Sequence, residues 1–209
     1  IKHLCFDEKT KRCTPAELYD ALMHNWEGYD DLYNYVKNEA PHYGNGDPEV
    51  DMYAKWASDI FAKEVKKGSG PRGNGWSAGL WPVTTNVAFG LSTPTTPDGR
   101  KLGEPLADGC SPVQQMDKNG PTCVLVSVGS IDHRQFANGT LLNLKFSPSC
   151  LNGEDGVQKL ASMLKTYFFD MYGMETQINV VSAETMRAAQ KNPEEYRDLV
   201  VRIAGFSVY

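Results

Sequence analysis

An α/β fold is predicted for this chain of 209 residues, and three observations predict it. Capped, amphipathic helical segments fill the first third. Short runs rich in aliphatic and β-branched residues, LLNLKF and TQINVV, alternate with helical segments in the last third. Between them lies a long stretch dense in Gly, Pro, Asp and Ser, a composition that suits surface connections better than a core. Strands and helices interleaved in this way favour parallel pairing.

The elements follow in order. Thr14-Pro15-Ala16-Glu17 is a capping box with proline at the first helical position, opening a helix expected to run to about Trp26. A second helix is expected over residues 29–38, ending before Pro41. A third begins at Asp47-Pro48 and carries Tyr53, Trp56, Ala57, Ile60 and Phe61 at i, i+3, i+4, i+7 and i+8, an apolar stripe expected to pack on the core. Residues 80–89, LWPVTTNVAF, read as a buried strand with Pro82 near its start. Residues 90–121 read as loop. A helix is expected over 126–136, a strand over 141–146, a helix over 156–172 and a strand over 176–181. Ser182 caps the helix AETMRAAQ, Asn192-Pro193 caps a short one, and a last strand over 199–204 runs into Gly205.

Several classes of function are excluded by composition. A hydrophobic fraction of 41% supports a folded core, and a formal charge of −5 with no basic stripe offers nothing to nucleic acid. No apolar run is long enough for a membrane span and no leader pattern opens the chain, so the cytoplasm is the expected compartment. The five cysteines, Cys5, Cys13, Cys110, Cys123 and Cys150, are odd in number and scattered without a CxxC pair. His3, His24, His42 and His133 fall in no ligand spacing. No disulfide framework and no metal site are expected. Gly68, Gly70 and Gly73 formally spell GxGxxG, but a charged helix end (KEVKK) precedes them and a tryptophan-bearing strand is expected after them. A phosphate cradle needs a strand before and a helix after, so residues 68–79 are read as a flexible loop. Ile1 and the apolar end at Tyr209 suggest a piece of a longer chain.

The chain closes on RIAGFSVY, with a glycine inside a strand-like run. A strand glycine ordinarily marks a bulge, a bend or a close backbone approach. Here Arg202, Ile203 and Ala204 before it, with Phe206 and Ser207 after it, resemble the glycyl-radical signature of the pyruvate formate-lyase superfamily. The resemblance extends through LADGCSPVQQMDKNGPT, NGTLLNLKFSPS and INVVSAETMRAAQKNPEEYRDLVVRIAGFS in order. NWEGYDDL and APHYGNGDPEVD resemble the stretch before the family's last barrel strands. The dehydratase, lyase and decarboxylase branch is the most similar.

The resemblance implies the C-terminal part of an α/β barrel, with residues 1–104 belonging to the barrel domain and 105–209 to a truncated glycine radical domain. It implies Gly205 as the radical site, with Arg202, Ala204, Phe206 and Ser207 supporting its loop. Arg202 would anchor that loop through charge-assisted hydrogen bonds. Physical chemistry agrees with the choice of residue: an α-carbon radical is stabilised when both flanking amides share the spin in one plane, and a Cβ would crowd that arrangement. The family binds no resident cofactor. A separate activating enzyme with S-adenosylmethionine and an iron–sulfur cluster removes the hydrogen, and the glycyl radical then generates a thiyl radical on a cysteine. Implied partners are that activase, the remainder of the polypeptide, a small-molecule substrate and a second copy in a homodimer.

None of the five cysteines has the Gly-Cys loop context of the family's thiyl cysteine; Cys110, in ADGCSP, belongs to a different family motif. The thiyl cysteine and its glutamate are therefore expected upstream of Ile1. Phe206 stands where many members carry tyrosine, an aromatic for an aromatic. Trp81 and Val83, on LWPVTTN, are implied substrate contacts, with plain barrel packing as the other reading. Expected chemistry is anaerobic cleavage of a C–O, C–N, C–S or C–C bond. The alternatives are a synthase adding hydrocarbons to fumarate, a non-catalytic radical-domain repair module, or an α/β binding module using the Gly68 loop.

Overall fold

The computed structural model describes residues 1–81 and 84–199, together with the backbone of 201–203 and 206–208. The chain forms two compact units that interleave in sequence: Ile1–His42 with Thr85–Leu106, and Tyr43–Thr84 with Ala107–Tyr209.

In the first unit a π-helical turn, Lys2–Phe6, precedes α1 (Pro15–Met23) and α2 (Asp30–Asn38). The capping box forms as expected: Glu17 N donates to Thr14 Oγ1 at 3.2 Å and Thr14 N to Glu17 Oε2 at 2.7 Å. α1 stops short of Trp26 because Asn25 and Trp26 take left-handed φ of 53° and 67°. That turn drops the Trp26 ring into a core with Leu4, Leu18, Ala21 and Val36.

The strand expected over 80–89 does not form. Residues 85–92 are instead α4 (Thr85–Ser92). The reason is a contact face of small residues one turn apart: Asn86 and Gly90 are buried, and a Cβ on Gly90 would lie 2.3 Å from Glu104 O. Leu106 N bonds Asn86 O at 3.0 Å across that face. The β-branched composition that suggested a strand reflects half-buried packing rather than a backbone rule. Residues 93–104 lack regular structure, as expected. Arg100, only 3% exposed, organises them by donating to the carbonyls of Thr93, Pro94, Lys101 and Glu104.

In the second unit α3 (Pro48–Val65) is capped by Asp47, whose Oδ1 accepts from Glu49 N at 3.0 Å. Its core face differs from expectation. Asp51, Ser58 and Ala62 are buried, whereas Trp56 is 63% exposed and Tyr53, Ile60 and Phe61 are also exposed. Small side chains let α3 approach its neighbours closely, and the large ones point the other way. α5 (Pro121–Gly129) starts earlier than the helix expected over 126–136, with Gly120 at φ 85° before its N-terminal proline; only a 3-10 turn, His133–Gln135, follows. The continuous apolar run CVLVSV has no periodicity to mark that boundary.

The strand β1 (Leu141–Phe146) and strand β2 (Glu175–Val180) pair in parallel, with Leu142 opposite Thr176 and Leu144 opposite Ile178. The crossover is α6 (Gly153–Lys165), continued by a π-helical turn, Thr166–Asp170. Leu142, Leu144 and Phe146 share one face of β1 and join Val124, Val128 and Tyr167 in the core. α7 (Ala183–Lys191) is capped by Ser182, whose Oγ accepts from Thr185 N at 2.9 Å. A 3-10 turn, Pro193–Tyr196, follows without a side-chain cap from Asn192. Within the last strand expected lies β3 (Val201–Ile203), which pairs antiparallel with a further strand, β4 (Phe206–Val208). No helix among the described residues is long and apolar enough to cross a membrane.

Residues 68–79 form a small hydrogen-bonded loop, with Gly70 N on Asn74 O at 2.8 Å and Trp76 N on Gly68 O at 3.1 Å. No strand precedes it, since α3 runs into it. The chain runs on beside β1 after it, with Leu80 bridged to Thr140 in parallel, so the arrangement that would cradle a phosphate is absent here.

Candidate functional site

The hairpin of β3 and β4 frames the expected radical position. Its register sets Val201 opposite Val208, Arg202 opposite Ser207 and Ile203 opposite Phe206. Ala204 and Gly205 fall between the last paired residues and lie outside the described residues, as does Val83. Of Arg202, Phe206 and Ser207, only the backbone pairing is described. β3 runs alongside β2, so the hairpin belongs to the same unit as the β1–β2 pair.

Trp81 sits on the segment that borders β1 on its other edge. Leu80 N donates to Gly139 O at 2.8 Å and Leu141 N to Leu80 O at 3.0 Å. The Trp81 indole Nε1 donates to Asn138 O at 2.8 Å, and its ring is 45% exposed. Its polar atom is thus satisfied within the protein, leaving an apolar ring face free for contact.

Cys110 lies behind β1 rather than at a reactive surface. Gly109, at φ +61°, brings the backbone so close to β1 that a Cβ there would stand 2.4 Å from Leu141 O. This delivers Cys110 N and Cys110 Sγ to the same carbonyl, Leu141 O, each at 3.0 Å. Burial pushes the Cys110 thiol up to about 12, so the nucleophilic thiolate is suppressed. Tyr43 Oη donates to Cys110 O at 3.2 Å, and burial raises that phenol as well.

A polar cluster that sequence reasoning missed occupies the face of β1 turned away from the core. Asn143 N donates to Ser111 Oγ at 3.0 Å, and Asn143 Nδ2 donates to Asp108 Oδ2. Asn143 stands opposite Gln177 of β2, which is buried. Burial raises the Asp108 carboxyl above the ordinary carboxylate range, and the Asn143 amide offsets part of that rise. Among the described residues, Asp108 Oδ1 and Asn143 Oδ1 are buried acceptors without a hydrogen-bond partner. The cluster can therefore receive donors. No sequence signal joins residues 35 positions apart, although the Gly109 turn hints that the loop touches backbone.

His133 is a structural histidine. Nε2 lies 3.1 Å from Val128 O and Nδ1 lies 2.8 Å from Thr140 Oγ1. A carbonyl only accepts, so Nε2 carries the proton and Nδ1 accepts from the hydroxyl. Among the described residues no three His, Cys, Asp or Glu side chains converge as a metal site would require.

Two family models match the chain, pyruvate formate lyase-like over residues 1–90 and glycine radical over residues 106–209. Among curated proteins, the (2S)-3-sulfopropanediol dehydratase of Klebsiella oxytoca is 39% identical over 214 residues, covering 100% of this chain and 26% of that protein. The isethionate sulfite-lyase of Nitratidesulfovibrio vulgaris is 41% identical, covering 100% of this chain and 25% of that protein. The solved B12-independent glycerol dehydratase from Clostridium butyricum, in its glycerol-bound form, superposes with a TM-score of 0.91 at 44% identity, covering 99% of this chain and 26% of that chain. The chain thus spans about a quarter of the length of the relatives it matches.

Proposed function

The chain belongs to the glycyl radical enzyme family, and on that premise we propose that the complete protein is an anaerobic dehydratase or lyase that stores an unpaired electron on Gly205. The observation that supports this most directly is the RIAGFS segment lying within the glycine radical match over residues 106–209. In the proposed cycle a separate activase using S-adenosylmethionine and an iron–sulfur cluster takes one hydrogen atom from the Gly205 α-carbon. The resulting radical takes a hydrogen atom from a cysteine thiol outside this chain. The thiyl radical then takes one from a small organic substrate, whose C–O, C–N, C–S or C–C bond breaks.

Residues 1–104 contribute barrel and 105–209 the radical domain. Trp81 and Val83 contribute to the substrate wall, and Arg202, Ala204, Phe206 and Ser207 to the support of the radical loop. The half-exposed Trp81 ring, with its N–H already satisfied, suits an apolar wall of that kind. The expected partners are the activase, the remainder of the polypeptide and a second copy; the expected setting is an oxygen-free cytoplasm. The reading as a hydrocarbon-to-fumarate synthase is less supported, because the similar proteins are named dehydratases and lyases. A radical-domain repair module is less supported too, because the match extends through residues 1–90.

The test is anaerobic incubation of the complete polypeptide with its activase and S-adenosylmethionine, followed by electron paramagnetic resonance. A doublet from coupling to the remaining α-hydrogen is expected, with chain cleavage at Gly205 on exposure to air. Gly205→Ala should give neither signal nor cleavage. A silent spectrum from wild-type protein would overturn the proposal.

A further inference from the structure

Two thiols meet in the core of the first unit. Cys5 lies on the π-helical turn Lys2–Phe6, Cys13 lies just before the Thr14 cap of α1, and their Sγ atoms are 3.8 Å apart. Both are free thiols and both are buried, Cys5 at 2% exposure and Cys13 at 8%. The backbone holds them in register. Arg12 N and Cys13 N both donate to Leu4 O, at 2.9 and 3.2 Å, and Thr10 Oγ1 donates to His3 O at 2.8 Å. Leu18, Ala21, Trp26 and Val36 close around the pair. A disulfide needs about 2.05 Å between its sulfurs, so closure asks for an approach of about 1.8 Å between two short side chains already in contact. Among the described residues no third His, Cys, Asp or Glu joins them, so the pair lacks the ligand count of a zinc site.

We propose that Cys5 and Cys13 form a reversible oxidant-responsive pair, a disulfide that closes when a hydroperoxide reaches it and reopens under a thiol reductant. Cys13, the more exposed of the two, reacts first. Its sulfur gives up a proton and attacks the peroxide, so that an S–O bond forms, the O–O bond breaks and the departing hydroxide takes the proton as water. Cys5 Sγ then attacks the sulfenic sulfur of Cys13. The S–S bond forms, the S–O bond breaks, and the hydroxyl leaves with the Cys5 proton as a second water. The two thiols lose two electrons together, and one hydrogen peroxide becomes two waters. Two small thiols reverse the step and depart as their own disulfide. Burial, and then the hydrogen bond with Cys5, push the Cys13 thiol up to about 11, so the reduced pair rests protonated and answers sustained rather than passing exposure. Closure ties the turn Lys2–Phe6 to the start of α1 and holds the loop with exposed Lys9, Lys11 and Arg12 at both ends. The inference stands on thiol geometry alone and is independent of the radical chemistry.

The experiment treats the complete wild-type polypeptide, reduced, unactivated and at micromolar concentration, with hydrogen peroxide. Remaining thiols are then blocked with N-ethylmaleimide in urea, and the chain is digested with trypsin without reductant. Cleavage after Lys9, Lys11 or Arg12 separates the Cys5 peptide from the Cys13 peptide, so the disulfide is read by mass spectrometry as a linked pair that dithiothreitol splits. Links between Cys5 and Cys13 are expected to exceed links of either to any other cysteine by about a hundredfold or more, because the partner is held in the same chain. In Cys5→Val, where no thiol resolves the intermediate, sulfenic acid trapped by dimedone is expected at Cys13. Two results in wild-type protein would overturn the proposal without recourse to the variant. One is both thiols unchanged after Cys150 is fully oxidised; the other is sulfinic or sulfonic acid at Cys5 or Cys13 with no link between them.

Discussion

At the residue scale the titratable side chains separate by burial. Cys110 is buried with its thiol raised to about 12, Cys13 is buried with its thiol raised to about 11, and Cys150 is exposed. Thiolate is the reactive form, so iodoacetamide at pH 8 should label Cys150 first and leave Cys13 and Cys110 unmodified until urea is added. Early labelling of Cys110 in native protein would contradict its place behind β1. His133 gives a pH test. Burial favours its neutral ring and lowers its folded pKa below the 6.5 of an exposed imidazole. On acidification the unfolded chain takes up that proton first. The contribution is therefore complete above about pH 6.5 and lost as pH falls toward the lower folded value. Urea denaturation at pH 7.5 and pH 5.5 should show this loss. His133→Gln should remove that part of the pH dependence, at a cost of about 1–3 kcal/mol from the two altered hydrogen bonds.

At the element scale, local chemistry was legible and long-range packing was not. Thr14, Asp47 and Ser182 each act as the caps their sequences suggested, because a cap is satisfied by residues two or three positions away. β1 and β2 were legible from aliphatic runs of strand length. α4 was not, because what decides it is Gly90 meeting the backbone of residues 104–105, a contact absent from the local sequence. The same holds for α3, whose stripe was correctly periodic but assigned to the wrong side. Amphipathicity reveals a buried face and says nothing about what buries it. Of the candidate site, the glycine and its neighbours were legible as a contiguous motif, whereas Asp108 and Asn143 meet only through the fold. Since the Leu142 face of β1 carries the core, Leu142→Ala should destabilise the second unit by about 2–5 kcal/mol in chemical denaturation. A loss below about 0.5 kcal/mol would mean that this strand face is not packed as described.

At the scale of the whole molecule, the interleaved units give unequal access to the backbone. Arg72 lies in an exposed loop, whereas Arg100 is buried with its guanidinium fastened to the carbonyls of Gly90, Thr93, Pro94, Lys101 and Glu104. A serine protease that reads arginine must draw both side chain and backbone into an extended cleft, which Arg100 cannot offer while those bonds hold. Limited trypsinolysis of the protein should therefore nick after Arg72 early and after Arg100 only when the first unit opens as a body. The single guanidinium thus converts residues 93–104, which by composition would be a vulnerable tether, into a tamper seal whose breakage marks the loss of the unit around it.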